Sequence, residues 1–323
     1  MRARRWMYLL LREAGIGVAL VLICAIFAVI APRFASYANF TNILTQISIN
    51  TVISVGMTFV ILLGGIDLSV GSVLALSTIV AGMTISYKAL PVAAAIPLAV
   101  TASIVVGALC GLFNGFVSTR WRIHSFVVTL GMLNIARGAA LQISDSRTIF
   151  SFPAVFNRFG TETIFGIPII FIMALALVIL GSLVLGKTVF GRMLYAIGNN
   201  EEAVRLSGHN TSGYKIAAFT LCGASVGVAG IMYMLRLNMA SPILGVGFEL
   251  NAIAAVVIGG TSMMGGKGSL IGTFLGASII GVLNNGLLLL GMGDFARQIV
   301  TGLIIVAAVV IDTYRAKLLV RFQ

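Results

Sequence analysis

Few side chains in this sequence could do chemistry, and their spacing argues against catalysis. The two histidines, His124 and His209, stand in polar stretches, with no nucleophile and base beside them and no metalloprotease-type His-Glu-x-x-His string. Cys24, Cys110 and Cys222 lie inside apolar runs without a Cys-x-x-Cys pair, which suits small core residues better than a metal or a disulfide. Gly260 to Lys267 has the spacing G-x5-G-K, and Gly268 follows where a phosphate loop needs Ser or Thr, so no nucleotide site is expected there. Neither a bound metal nor a cofactor is expected.

Two polar features remain. In the first, Gly64 and Gly65 stop one apolar run and Asp67 or Ser69 can accept hydrogen bonds from the opening turn of the next. An ionisable residue between apolar runs is also a candidate hinge, or a polar group at the inner mouth of a pathway. The second is Gly191 to Asn210, a charged, capped island in a chain that is otherwise nearly charge-free. It has the character of a docking surface for something outside the membrane.

The elements that must position these residues follow from composition. Hydrophobic residues make up 59%, charged residues 9%, and the mean hydropathy is +1.09, far beyond a soluble domain. Strict two-residue alternation is absent, which leaves helices as the spanning structure. A span needs about 20 residues. The apolar runs predict ten, over 14–32, 43–63, 68–87, 91–117, 125–143, 165–186, 216–235, 250–264, 269–290 and 297–312. The expected fold class is an all-α integral membrane protein, with 1–323 as a single transmembrane domain and its largest inner loop over 187–215. The first apolar run is too long for a signal peptide and lacks a clean cleavage site, so it is expected to stay as an anchor.

With the N-terminus inside, every Lys and Arg except Arg33, Lys88, Arg137, Arg147, Arg158, Arg236 and Arg297 falls on the inner side. Positive residues favour the cytoplasmic side, so both termini are expected there. The net charge of +12 is thus a matter of orientation, and nothing in it calls for nucleic acid.

Two pairs of related strings hint at internal repetition. Gly107 to Gly115 and Gly276 to Gly286 fall on spans four and nine, which run in opposite directions and would pair in a four-plus-four inverted repeat. Gly64 to Ser72 and Gly259 to Ser269 resemble each other too, but both are inner turns and do not fit that pairing.

Within the inner loop, Asn199 or Asn200 can cap a short helix. Glu201 and Glu202 fall in its first turn, where the helix dipole favours anions. Ala203 and Leu206 share a face beside Arg205, and Gly208 ends the helix. The expected product is a two-turn surface helix with a small apolar knob.

Three long strings, GGIDLSVGS, GRMLYAIGNNEEAVRLSG and NAIAAVVIGGTSMMGGKGSLIGTFLGASIIGVLNNGL, closely resemble the permease subunits of bacterial ribose-type ABC sugar importers. The likeness runs from about Asn42 to Asp312. It implies ten helices in an inverted repeat like that of the cobalamin-type importers, in the inner membrane. Its implied partners are an ABC ATPase subunit that binds the ATP, a periplasmic sugar-binding protein, and a second permease copy or a paralogue. It also implies that the loop from Gly191 through Arg192, Gly198, Asn199, Glu201, Glu202, Arg205 and Leu206 to Gly208 carries a coupling helix seated on the ATPase. His209 and the Glu201-Glu202 pair depart from the family's expected pattern and could tune the choice of ATPase.

Alternating access is the implied mechanism, with the binding protein docking near Asp145 to Glu162 and Arg236 to Glu249. A sugar path needs only weak polar sites, because a tight one would hold the sugar. Candidates are Asn50, Thr58, Asn114, Asn134, Asn251, Asn284 and Asn285, each of which could equally bond between helices. Gly64, Gly65, Asp67 and Ser69 are the candidates for an inner turn or gate. The alternative is a transporter driven by an ion gradient, which would bury ionisable groups in its spans. Asp67, Glu249, Asp294 and Asp312 instead fall at predicted helix ends.

Overall fold

Apolar runs in lipid must satisfy their own backbone, and this chain does so with helices. The computed structural model describes residues 2–321, with no side-chain description for the first eleven of these or for most residues beyond 304. The terminal cations Arg2, Arg4, Arg5, Arg12, Arg315, Lys317 and Arg321, together with Asp312, therefore have side chains outside the described residues. In chain order the helices are α1 (Arg2–Ile30), α2 (Tyr37–Leu62), α3 (Val70–Ile85), α4 (Val92–Arg120), α5 (Ser125–Ile143), α6 (Ala154–Thr161) and α7 (Ile169–Lys187). They continue with α8 (Val189–Asn199), α9 (Glu201–Leu206), α10 (Thr211–Leu237), α11 (Phe248–Ile258), α12 (Leu270–Leu289) and α13 (Asp294–Arg321). Four two-residue strands, β1 (Ile149–Phe150), β2 (Thr163–Ile164), β3 (Ile167–Pro168) and β4 (Met239–Ala240), do not alter the all-α membrane class.

Each of the ten predicted spans overlaps a helix. Among the described residues, seven helices are long and apolar enough to cross a bilayer, whereas α3 and α11 are shorter apolar helices. The prediction of a span over 250–264 needs correction. Gly259 caps α11 and Gly260 takes a positive φ of 80°, so the helix stops at Ile258. It begins at Phe248 because Gly247, at φ 83°, turns the chain into it.

The loops gather at two opposite ends. One end joins 63–69, 121–124, 188–210 and 259–269, tied by Gly266 N–H donating to Leu62 O and Ser125 Oγ accepting from Ile66 N–H. The other end joins the β1–β4 pair, α6 and the β2–β3 hairpin, whose Phe165-Gly166 turn has positive φ at both residues as such a hairpin requires. Thus 145–162 and 191–210 lie at opposite ends, as the sequence predicts.

Helix α2 is the central post, buried over most of its length against α10, α12, α7 and α11. Small residues let its neighbours close on one another. A Cβ on Gly107, Gly111 or Gly115 of α4 would sit about 2–3 Å from the backbone of Gly223, Phe219 or Ile216 of α10. On α12, Gly272 and Gly276 make the same kind of seam with Gly259 and Ala255 at the end of α11.

Neighbour relations repeat between halves. α4 packs on α10 as α12 packs on α2; α3 lies among α4, α5 and α10 as α11 lies among α12, α13 and α2. Exchanging α2–α5 with α10–α13 preserves this pattern. The two strings GGIDLSVGS and GGTSMMGGKGS are not mates in it. They meet in space, because a Cβ on Gly265 would lie 2.9 Å from Gly64 N and 3.0 Å from Leu62 O.

Candidate functional site

The charged island folds as two helices rather than one. α8 starts where Thr188 Oγ1 accepts from Gly191 N–H at 3.1 Å, and it buries Gly191, Leu194 and Ile197 while Arg192 stays exposed. Asn200, not Asn199, caps α9, its Oδ1 accepting from Ala203 N–H at 3.0 Å. Asn199 instead donates to Tyr195 O and Gly266 O. Gly208, at φ 85°, ends the helix as predicted.

Helix α9 turns Val204 inward and leaves Leu206 78% exposed, so the apolar knob points out of the protein. Around the knob, Glu202 accepts from Arg205 at 2.6 Å and Glu201 accepts from Lys215 at 2.5 Å. The hydrogen bond from Arg205 holds the Glu202 carboxyl below the usual carboxylate range, and Glu202 in turn raises the Arg205 guanidinium. Glu202 and Arg205 are therefore both charged across neutral pH.

The island is fastened to the bundle through backbone. A Cβ on Gly198 of α8 would lie 1.9 Å from Leu62 O and 2.4 Å from Gly266 N, and Tyr195 Oη donates to Gly268 O at 2.9 Å. The end of α2, the last turn of α8 and the turn after α11 thus meet at a junction that only glycine permits.

Next to this junction lies the Asp67 turn. Asp67 is buried, its Oδ1 accepting from Ser69 N–H at 2.9 Å and from Ser69 Oγ at 2.6 Å. Ser69 Oγ accepts in turn from Asn114 Nδ2 of α4 at 3.0 Å. The expected cap on the opening turn of α3 does not form: Ser69 occupies the cap position in helical conformation, without a side-chain cap bond. Asp67 pins the turn to Ser69 and α4 instead. Gly64, at φ 74°, makes the turn, and Gly65 packs against Val60, Phe219 and Ser125.

The predicted path residues scatter. Asn39 and Asn285 exchange reciprocal amide bonds of 3.0 and 2.9 Å, which makes Asn285 a bridge between α2 and α12. Thr58 pairs with Thr273 at 2.8 Å between the same helices. Asn50 Oδ1 and Asn114 Oδ1 are buried without a hydrogen-bond partner among the described residues, Asn251 and Asn284 are half-buried, and Asn134 of α5 is exposed.

Sequence reasoning counted Arg137 with the outer cations within the span over 125–143, and it stands inside α5, six residues before the helix ends. Its Nη1 donates to Leu244 O at 2.9 Å and also to Pro242 O. These carbonyls belong to 241–247, which the sequence placed in an outer loop for docking. The segment descends into the bundle instead. A Cβ on Gly71, in the first turn of α3, would lie 2.1 Å from Gly245 O and 2.5 Å from Glu249 Oε2. Asp67 and Glu249 are at helix ends, as predicted, but those ends lie inside the protein.

Among the described residues no cluster of His, Cys, Asp and Glu could hold a metal. Residues 39–309 match the family described as the branched-chain amino acid transport system / permease component. The chain is similar to the ribose import permease protein RbsC of Haemophilus influenzae, 42% identical over 302 residues and 92% of each chain. It is similar to the protein of that name from Bacillus subtilis, 42% identical over 306 residues, covering 94% of this chain and 93% of the relative. The D-allose transport system permease protein AlsC of Escherichia coli is 36% identical, covering 92% of this chain and 90% of its own length. No solved structure matches the chain.

Proposed function

The chain belongs to the branched-chain amino acid transport system permease family, and from that premise we propose its working role. It is the transmembrane permease subunit of an ABC importer for a monosaccharide, a ribose-like pentose or a hexose. The observation that carries this is 36–42% identity, along nearly the whole chain, to permeases named for ribose and D-allose. As a permease it is not itself an enzyme. A separate ATPase subunit binds and hydrolyses the ATP, a periplasmic binding protein delivers the sugar, and a second permease copy or a paralogue completes the path. The chain sits in the inner membrane with both termini in the cytoplasm, the orientation favoured by its cation distribution. Ten crossings in an inverted repeat agree with the neighbour pattern that exchange of the two halves preserves.

In this reading α9 is the coupling helix. Leu206 seats in an apolar cleft of the ATPase, and the Glu202–Arg205 and Glu201–Lys215 pairs set its rim. Closure of the ATPase pair pushes α8 and α9, and the junction of Leu62, Gly198 and Gly266 passes the motion to α2 and α11. The two permease halves then rock between outward and inward openings.

The test is co-purification from detergent with a tag on this chain, followed by ATPase assay and mass spectrometry. An ATP-hydrolysing subunit is expected, and it is expected to be lost from the double variant Glu202→Lys, Leu206→Asp. Undiminished recovery after both changes would refute the coupling assignment. A chain that purifies alone and transports on an ion gradient would refute the importer.

A further inference from the structure

We propose that the break at Ser241–Gly247, with Arg137, Asn134 and Glu249 around it, lines a water-filled part of the sugar path and is where sugar hydroxyls are held in transit. This deepens the importer reading and rests on it for the identity of the cargo as a neutral polyhydroxyl.

Helix α11 has 11 residues and is about 16 Å long, half the thickness of a hydrocarbon core. The rest of that crossing is made by irregular backbone. From β4, hydrogen-bonded to β1 at the hairpin end, the chain runs down to Gly245, which touches the first turn of α3. Non-helical backbone at membrane depth survives only where protein buries it or where it lines water. Here side chains of the protein hold part of that backbone. Arg137 Nη1 takes the carbonyls of Pro242 and Leu244, and Glu249 Oε1 accepts from Gly247 N–H at 3.2 Å.

The other side of the segment is uncovered. Ile243, Val246 and Leu250 are 68%, 75% and 52% exposed, and Arg137 and Glu249 are half-buried. Among the described residues, Nη1 is the nitrogen of Arg137 that bonds to protein, which leaves its remaining donors for water or a solute. Asn134 lies one turn before Arg137 on α5 and is exposed, its amide nitrogen bonded to Leu130 O within the same helix. A guanidinium, a carboxylate and an amide at this depth are too costly to face lipid tails, so water or a hydrated solute faces them.

The chemistry fits a sugar. A carboxylate accepts from hydroxyls, a guanidinium donates to them, and the apolar tips of Ile243 and Val246 suit the C–H face of a ring. Position supports the same conclusion. Among the described residues α3 and α11 are the two short apolar helices; they stand in corresponding places of the two halves, and their first turns touch through Gly71, Gly245 and Glu249. Paired short or interrupted segments near mid-membrane mark binding sites in transporters with repeats.

The test uses the assembled transporter in vesicles, with Cys24, Cys110 and Cys222 replaced by Ala and single cysteines introduced as Val246→Cys, Ile243→Cys and, as a lipid-facing control on α1, Leu22→Cys. The charged reagent MTSET and lipid-soluble N-ethylmaleimide are compared. The expected result is that MTSET modifies Val246→Cys and Ile243→Cys on the order of tenfold faster than the control, and that modification stops import. Glu249→Gln is expected to raise the KM for import. Control-like rates with MTSET at both positions, with reaction only by N-ethylmaleimide, would overturn the inference. The importer reading fails separately, if the unmodified complex with its binding protein takes up none of D-ribose, D-allose and L-arabinose.

Discussion

Replacing Asn285 by Leu separates a structural bridge from a path residue, because its partner Asn39 is buried and the bonding between them is asymmetric. Asn285 Oδ1 accepts from Asn39 Nδ2, and Asn285 Nδ2 donates to Asn39 Oδ1. Asn39 Nδ2 also donates to Phe34 O at 2.9 Å. Asn285→Leu therefore strands one acceptor, Asn39 Oδ1, while Nδ2 keeps its bond to Phe34. Asn39→Leu strands both amide atoms of Asn285 and the Phe34 carbonyl. A buried group left unsatisfied costs about 1–3 kcal/mol, and interhelical bonds in membranes fall at the low end. Asn285→Leu should then cost about 1 kcal/mol and Asn39→Leu about 3 kcal/mol. The double variant strands only the Phe34 carbonyl, so about 1 kcal/mol is expected instead of the summed 4. The assay is denaturant or thermal unfolding of the purified chain in mixed micelles, with import measured beside it. A double variant as unstable as the sum of the singles would refute the reciprocal bond. A raised import KM in Asn285→Leu would return Asn285 to the path.

Gly198→Ala places a Cβ 1.9 Å from Leu62 O, so the complex should still form through α9 while sugar-stimulated ATPase activity and import fall together; normal import would dismiss the junction. Gly208→Ala meets nothing within 4 Å and should cost only its positive φ, about 1 kcal/mol, seen as a small shift in Tm. Gly111→Leu drives into Phe219 O across the α4–α10 seam and should abolish stable protein, read as loss of a monodisperse peak in detergent. Glu202 has a depressed carboxyl, so any contribution of its ion pair is present above the ordinary carboxylate pKa and is lost as pH falls through the lowered value. ATPase recovery should therefore be flat from neutral to mildly acidic pH and decline only in strong acid.

The helices were legible because lipid forces one periodicity on every apolar run, and α9 was legible because Asn200, the two Glu and Gly208 are local cap chemistry. What could not be read depended on contacts distant in sequence. Asn39 is an ordinary first-turn residue until Asn285 reaches it, 246 positions away. Arg137 fell within the predicted span over 125–143 and was counted among the outer cations, but the carbonyls of Pro242 and Leu244 that take up its charge lie more than 100 positions away. Asp67 drew notice as an ionisable group, yet its partners Ser69 and Asn114 required the α3–α4 packing to be seen. The two Gly-Gly strings were read as inner turns outside the repeat pairing; what the sequence could not show is that each supplies bare backbone to one junction.

The shortness of α11 ties the docking surface to the polar break. Its lower end passes through Gly259, packed on Gly272 of α12, into the turn that meets Gly198 and Leu62. Its upper end is Gly247 and Glu249, joined to the segment that Arg137 holds. A helix of 11 residues held at both ends is a stiff rod, and a close-packed interior moves such a rod as a body instead of absorbing the push. Displacement of α8 by an ATPase would thus arrive at Ile243 and Val246 with little loss. A full-length helix in that place would cross the membrane with its ladder complete and carry no irregular segment to rearrange. The interrupted crossing offers one: its Pro242 and Leu244 carbonyls are taken by one nitrogen of Arg137, and Gly245 and Gly247, both at positive φ, lack the Cβ that would restrict a rearrangement of its backbone.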